Sequence, residues 1–124
     1  MNEKNIWLVT AESVRAGHPD KLCDQIADAI LDAHLRQDPN ARVAVEVFAT
    51  AGKMLIGGEA TSKAEVNCGS IVEDAIDRIG YTMYDLCEDS HDPLELEIRI
   101  HDQSPDISAA VGAANLGAGD QGIV

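Results

Sequence analysis

The sequence predicts an α+β domain, a two-layer sandwich in the order strand, helix, strand, strand, helix, strand, with both helices on one face of a mostly antiparallel sheet. Three patterns carry that expectation: apolar residues at helical spacing between Leu22 and Leu35, two alternating stretches flanking Ala51-Gly52, and a further alternating stretch at Leu94–His101. With 124 residues the chain can bury one hydrophobic core and not two. The domain is expected over residues 1–102, with 103–124 as a flexible loop segment carrying glycines.

Taken in order, Ile6–Ala11 is a short β-branched and aromatic run and reads as the first strand. The loop ESVRAGHPDK follows, and Pro19 suits the first turn of a helix. From there Leu22, Ile26 and Ile30, with Cys23, Ala27, Leu31 and Leu35, mark a buried stripe until Asp38-Pro39 ends it. Ala41–Thr50 alternates, Val43, Val45 and Val47 against Ala44, Glu46 and Phe48, then turns at Ala51-Gly52 into Lys53–Thr61, a hairpin. A second helix is predicted over about Lys63–Ile79, stopped by Gly80. In the last strand Leu94, Leu96, Ile98 and Ile100 alternate with Glu95, Glu97, Arg99 and His101.

Charge narrows the partners. Nine Lys+Arg against 22 Asp+Glu leave a formal net charge of −13. A surface of that sign repels nucleic-acid backbones and anionic lipid headgroups, so neither is an expected partner; divalent cations such as Mg²⁺ are better suited. No apolar run reaches the roughly 18–20 residues of a membrane span, and the N-terminus lacks the pattern of a secretory leader, so a cytoplasmic chain is expected. Cys23, Cys68 and Cys87 show neither zinc-type pairing nor a disulfide framework and read as reduced, the first two as small apolar groups in the core.

The first candidate site is Gly17-His18-Pro19-Asp20-Lys21. An imidazole, a carboxylate and an ammonium at a helix start suit a phosphate and its Mg²⁺, with His18 and Lys21 donating and Asp20 holding the metal. The plainer alternative is that Asp20 caps the helix and His18 sits on a surface loop. Asp24, Asp28 and Asp32 share one helix face, either as metal ligands or, more commonly, as a solvated face or an interface with a basic partner. Glu46 and Glu59 are acids in otherwise apolar strands that either face a site or point to solvent. Gln103 and Asp120 bracket a glycine-bearing stretch that could close over the polar end of an amino acid or form a loose tail.

AESV with GHPDK, then DQIADAILDA, QDPNARVAVE, GGE, IGY, QSPDI and GAGDQG occur in order over nearly the whole chain. This set resembles the N-terminal part of the S-adenosylmethionine synthetases, the methionine adenosyltransferase family. The resemblance implies transfer of an adenosyl group from ATP to L-methionine. Sulfur attacks the ribose C5′, tripolyphosphate leaves, and it is hydrolysed to phosphate and diphosphate. It further implies that His18 contacts the ATP phosphates near the breaking bond, with Lys21 also binding ATP. Asp20 would bind Mg²⁺, Glu46 would bind an activating K⁺, Glu59 and Gln103 would contact methionine, and Asp120 would hold its ammonium group. The stretch after Gln103 would be the lid.

The family's enzymes continue through two further domains and work as homodimers or higher oligomers, which supply lysines, an arginine and acidic ligands. The implied expectation is an N-terminal domain inactive in isolation. Arg15-Ala16 stands where the common pattern has Ser-Glu, and the strand at Leu94–His101 is more polar than usual for the family. A non-catalytic module that self-associates through its sheet is the alternative reading.

Overall fold

A computed structural model describes residues 7–87 and 91–102. Its elements are α1 (Pro19–Gln37), β1 (Arg42–Thr50), β2 (Lys53–Thr61), α2 (Cys68–Arg78) and β3 (Glu95–His101). The α+β class expected from the pattern is the class observed, with the helices packed on a sheet.

The apolar stripe of α1 becomes its buried side: Leu22, Ile26 and Ile30 are at most 1% exposed. They pack against Val45, Met54 and Ile56 of the hairpin and Val72, Ala75 and Ile76 of α2. Each such large side chain withdrawn from water contributes about 1.5–3 kcal/mol, which makes this single cluster the main favourable term in folding. Asp38 ends α1 and then ties it to the connection that follows residue 61: its two carboxylate oxygens accept from the backbone amides of Asn40 (3.1 Å) and Lys63 (2.9 Å). Those two bonds hold its carboxyl below the usual carboxylate range.

β1 and β2 pair antiparallel in the register Thr50↔Lys53 through Arg42↔Thr61, the expected hairpin. β3 pairs with β2 in parallel, Lys53↔Glu95 through Glu59↔His101, so the sheet order is β1-β2-β3 and the sheet is mixed. Strand alternation sends Val43, Val45, Val47, Met54 and Ile56 to the helices. The other face, opposite the helices, carries Glu46, Phe48, Leu55, Glu59, Glu97 and Arg99. Phe48 is 66% exposed there.

Two expectations need correction. Trp7–Ala11 form no strand: Trp7, Leu8 and Val9 are 85–92% exposed, and Ile6 lies outside the described residues. The reason is in the register. A split strand-helix-strand arrangement would seat the first strand between β2 and β3, and those two pair directly along their length. The second helix is also shorter than the predicted 63–79. Asn67 caps it, its Oδ1 accepting from the Ser70 amide at 3.2 Å, and residues 63–67 are irregular. The flexible segment expected at 103–124 lies outside the described residues.

Candidate functional site

The α1 start is built by its own residues. His18 is the N-cap, with extended backbone at φ −65° and ψ 133°, and its Nδ1 accepts from the Asp20 amide at 3.2 Å. Pro19 brings no N–H, so the first turn has one fewer orphan donor to satisfy. The expected alternative had Asp20 as the cap; the imidazole takes that role instead. Because Nδ1 accepts, the neutral ring carries its proton on Nε2, and the ring is exposed.

Lys21 turns back along the loop. Its Nζ donates to the Val14 carbonyl and lies 3.4 Å from Ser13 Oγ, which pins residues 13–14 over the helix start. Gly17 is held against Tyr81: a Cβ at position 17 would meet the Tyr81 hydroxyl oxygen at 2.6 Å and ring carbons at 2.7–2.8 Å. A cavity of about 180 Å³ opens beside this corner, lined by Gly17, Pro19, Leu22, Met54 and Leu94 among others. Neither His18 nor Asp20 lines it. Both are on the outer surface of the helix start.

The glutamates lie elsewhere. Glu46 sits opposite Gly57 and Glu59 opposite Ala44, so the two share the open face of the hairpin; Glu46 is exposed and Glu59 half-buried. Glu59 also faces His101 across the parallel pair. The sheet therefore separates these carboxylates from the His18 corner on the helix side. Gln103 and Asp120 lie outside the described residues. Among the described residues no group of three or more His, Cys, Asp or Glu side chains could hold a metal ion. A single exposed carboxylate, as at Asp20, nevertheless suits a Mg²⁺ that arrives on phosphate oxygens, since that ion keeps most of its water and takes one or two protein carboxylates.

Gly58 explains the glycine pair before Glu59. Its φ is +123°, and a Cβ there would lie 2.1 Å from the Ala44 carbonyl oxygen. Only glycine fits so close to the neighbouring strand. The Asp24, Asp28 and Asp32 row is exposed, as the plainer reading expected, with Asp32 paired to Arg36 at 3.5 Å. Cys23 and Cys68 are buried, and burial pushes both thiols up, consistent with inert packing groups. Across the open face, Lys53 meets Glu97 at 2.8 Å and Glu95 at 3.1 Å, while Arg99 meets Glu97 at 3.0 Å. These contacts lower the Glu97 carboxyl and raise the Lys53 ammonium.

Two residues escaped the sequence reading. Tyr81 had a signal, its place in IGY, but no spacing rule joins it to Gly17. His34 is the other: it is 7% exposed, and its Nδ1 has no hydrogen-bond partner among the described residues. It borders a groove of about 710 Å³ with Val66, Ile98 and Ile100.

The fold and these groups define an α+β domain with an imidazole-capped helix start on one side of the sheet and the two acids Glu46 and Glu59 on the other. The model of the S-adenosylmethionine synthetase N-terminal domain matches residues 6–105, and the chain belongs to that family. Similar curated proteins are named S-adenosylmethionine synthase. That of Mesoplasma florum is 49% identical over 119 residues, 94% of this chain and 31% of the relative. The Mycoplasma mycoides subsp. mycoides protein is 50% identical over 94% of this chain and 30% of its own length. That of Treponema denticola is 48% identical over 98% and 33% respectively. The chain thus spans about a third of the length of these relatives. Among the described residues no helix is long and apolar enough to cross a membrane.

Proposed function

We propose that this chain serves the formation of S-adenosylmethionine from ATP and L-methionine, as the name of its relatives suggests, and that it is inactive by itself. In this reading the methionine sulfur bonds to C5′ as the C5′–O bond breaks. The electron pair leaves with tripolyphosphate, later hydrolysed to phosphate and diphosphate. Neutral sulfur needs no base, so the demand falls on groups that meet the charge growing on the leaving oxygen.

The His18 cap carries the reading. With Nδ1 committed to the Asp20 amide, Nε2–H is the free donor, oriented before any ligand arrives. That donor would meet a phosphate oxygen near the breaking bond. Asp20 would share Mg²⁺ with the phosphates; when bound, that ion neutralises part of their charge. Lys21 would have to leave Val14 to reach ATP, so its present role is to fix the loop. Glu46 would take K⁺, Glu59 and Gln103 would contact methionine, Asp120 would hold the ammonium group, and 103–124 would form the lid beyond the 1–102 domain.

Inactivity alone follows from charge. Arg36, Lys53 and Arg99 are already paired with acids, and the chain carries 22 carboxylates against nine basic residues. Little fixed positive charge remains for a triphosphate of about four negative charges. The sheet also keeps His18 from Glu46 and Glu59, so a second copy or further protein would complete the centre. The open face with exposed Phe48 and Leu55 supports pairing with a second copy. The test is a chimera in which this chain replaces the matching stretch of a relative. Synthesis from ATP and methionine is expected, with His18→Ala abolishing it. A folded but inactive chimera, or robust synthesis by the isolated chain, refutes the reading.

A further inference from the structure

We propose that Tyr81 is a positioning residue for His18, acting through the backbone of Gly17. α2 ends in a cap that fixes the backbone at Tyr81. Gly80 takes φ +84°, its N–H donates to the Asp77 carbonyl at 2.9 Å, and the Tyr81 N–H donates to the Ile76 carbonyl at 3.2 Å. This is the paired-bond helix ending that fixes where the residue after the glycine goes. The end of that side chain then covers Gly17, so closely that its hydroxyl oxygen and the adjoining ring edge fill the space a Cβ would need. Gly17 is the residue before the cap, inside the turn closed by the His18 N–H donating to the Arg15 carbonyl at 3.0 Å. On the outer side the same loop is tied by Lys21 to Val14.

The ring on one side and the lysine on the other hold a glycine that would otherwise sample many backbone states. What they fix is the φ and ψ at which the His18 imidazole reaches the Asp20 amide. The contact is steric, made by the hydroxyl oxygen and the ring edge that carries it, and that ring edge remains in Tyr81→Phe; the Tyr81 side chain has no hydrogen bond to a described residue. The end of α2 is thereby coupled to the start of α1 across a separation of more than sixty residues. The value of this to phosphate binding rests on the function proposed above; the coupling itself does not.

The test uses the 124-residue chain without nucleotide. Long-range ¹H–¹⁵N correlation of the imidazoles, with His18→Ala for assignment, reports whether the neutral ring holds its proton on Nε2. Wild type and Tyr81→Phe are expected to show that form as dominant, and Tyr81→Ala to show it mixed with the Nδ1–H form. Gly17→Ala should lower the folding equilibrium constant at least about threefold more in wild type than in Tyr81→Ala, the excess being the coupling of two residues in contact.

Should Tyr81→Ala lose its fold, Tyr81→Leu, too short to reach Gly17, carries the same comparison. An unchanged His18 tautomer in the truncated variants, or a Gly17→Ala effect equal in both backgrounds, overturns the proposal. Neither readout depends on ATP, so failure of the phosphate reading would show separately, as no binding to a corner that still orders as described.

Discussion

The adjacent glycines of β2 should respond in opposite ways to the same added methyl group. At Gly58 an alanine Cβ would sit 2.1 Å from the Ala44 carbonyl oxygen and 3.1 Å from the Ala44 carbonyl carbon and Val45 Cα, all backbone of the paired strand. Backbone cannot swing aside as a side-chain tip can, so the strands must separate locally. Forcing an L-residue into φ +123° costs about 1–3 kcal/mol, and overpacking adds about 1–3 kcal/mol. The sum, roughly 2–6 kcal/mol, is a large share of the about 5–15 kcal/mol that holds a domain together.

At Gly57 the nearest atom to an added Cβ is the Arg99 carbonyl oxygen at 3.7 Å, an ordinary contact. Gly57→Ala is therefore expected to be neutral or to stabilise by up to about 1 kcal/mol, through lower entropy of the unfolded chain. Urea unfolding followed by circular dichroism measures both. With a slope of about 1–3 kcal/mol/M, Gly58→Ala should move the midpoint down by about a molar or more, or leave no cooperative transition. Gly57→Ala should leave it near wild type. Equal effects at the two positions would refute the claim that Gly58 is set by its approach to Ala44.

Ile76, fully buried between the helices and the sheet, should cost about 2–5 kcal/mol on replacement by alanine, read from the same urea curves. His18→Ala removes the α1 cap and should lower stability by about 0.5–2 kcal/mol, with Asp20 amide exchange accelerated. Asp38, Asp85 and Glu97 have carboxyls held below their ordinary values, by the Lys63 and Asn40 amides, by Thr82, and by Lys53 with Arg99. Their contribution is complete above the unfolded values near pH 4 and is lost as pH falls through the lower folded values. Asp38→Asn should therefore destabilise the chain at neutral pH and converge with wild type in acid. Taking the difference between the two proteins cancels the shared relief of repulsion as this acidic chain protonates. Curves that stay parallel down to pH 2 would contradict that assignment.

The helical stripe and the hairpin were legible because burial imposes a period: Leu22, Ile26 and Ile30 recur at one turn, and Val43, Val45 and Val47 alternate about a two-residue turn. The run at Ile6–Ala11 carries an equally strong strand composition, yet composition does not say whether a sheet has a vacant position, and here β2 and β3 are already paired. The parallel pairing of β3 is likewise a property of the return path through α2, which local pattern does not encode. At the site, the helix start was legible as a place for polar chemistry. Which group capped it was not, because His18, Asp20 and the Asp20 amide compete within three residues and only geometry decides. That Glu46 and Glu59 stand on the far side of the sheet from His18 follows from strand alternation once the helix-bearing face is known. The contact of Tyr81 with Gly17 depends on how two helix ends meet and leaves no local trace.

Titration of the ¹⁵N-labelled chain with magnesium tripolyphosphate tests the phosphate role of the capped helix start. Saturable shifts confined to Gly17, His18, Asp20 and the His18 Nε2–H, and absent in His18→Ala, are the predicted outcome. Shifts that spare those groups, or that persist unchanged without the imidazole, would contradict it.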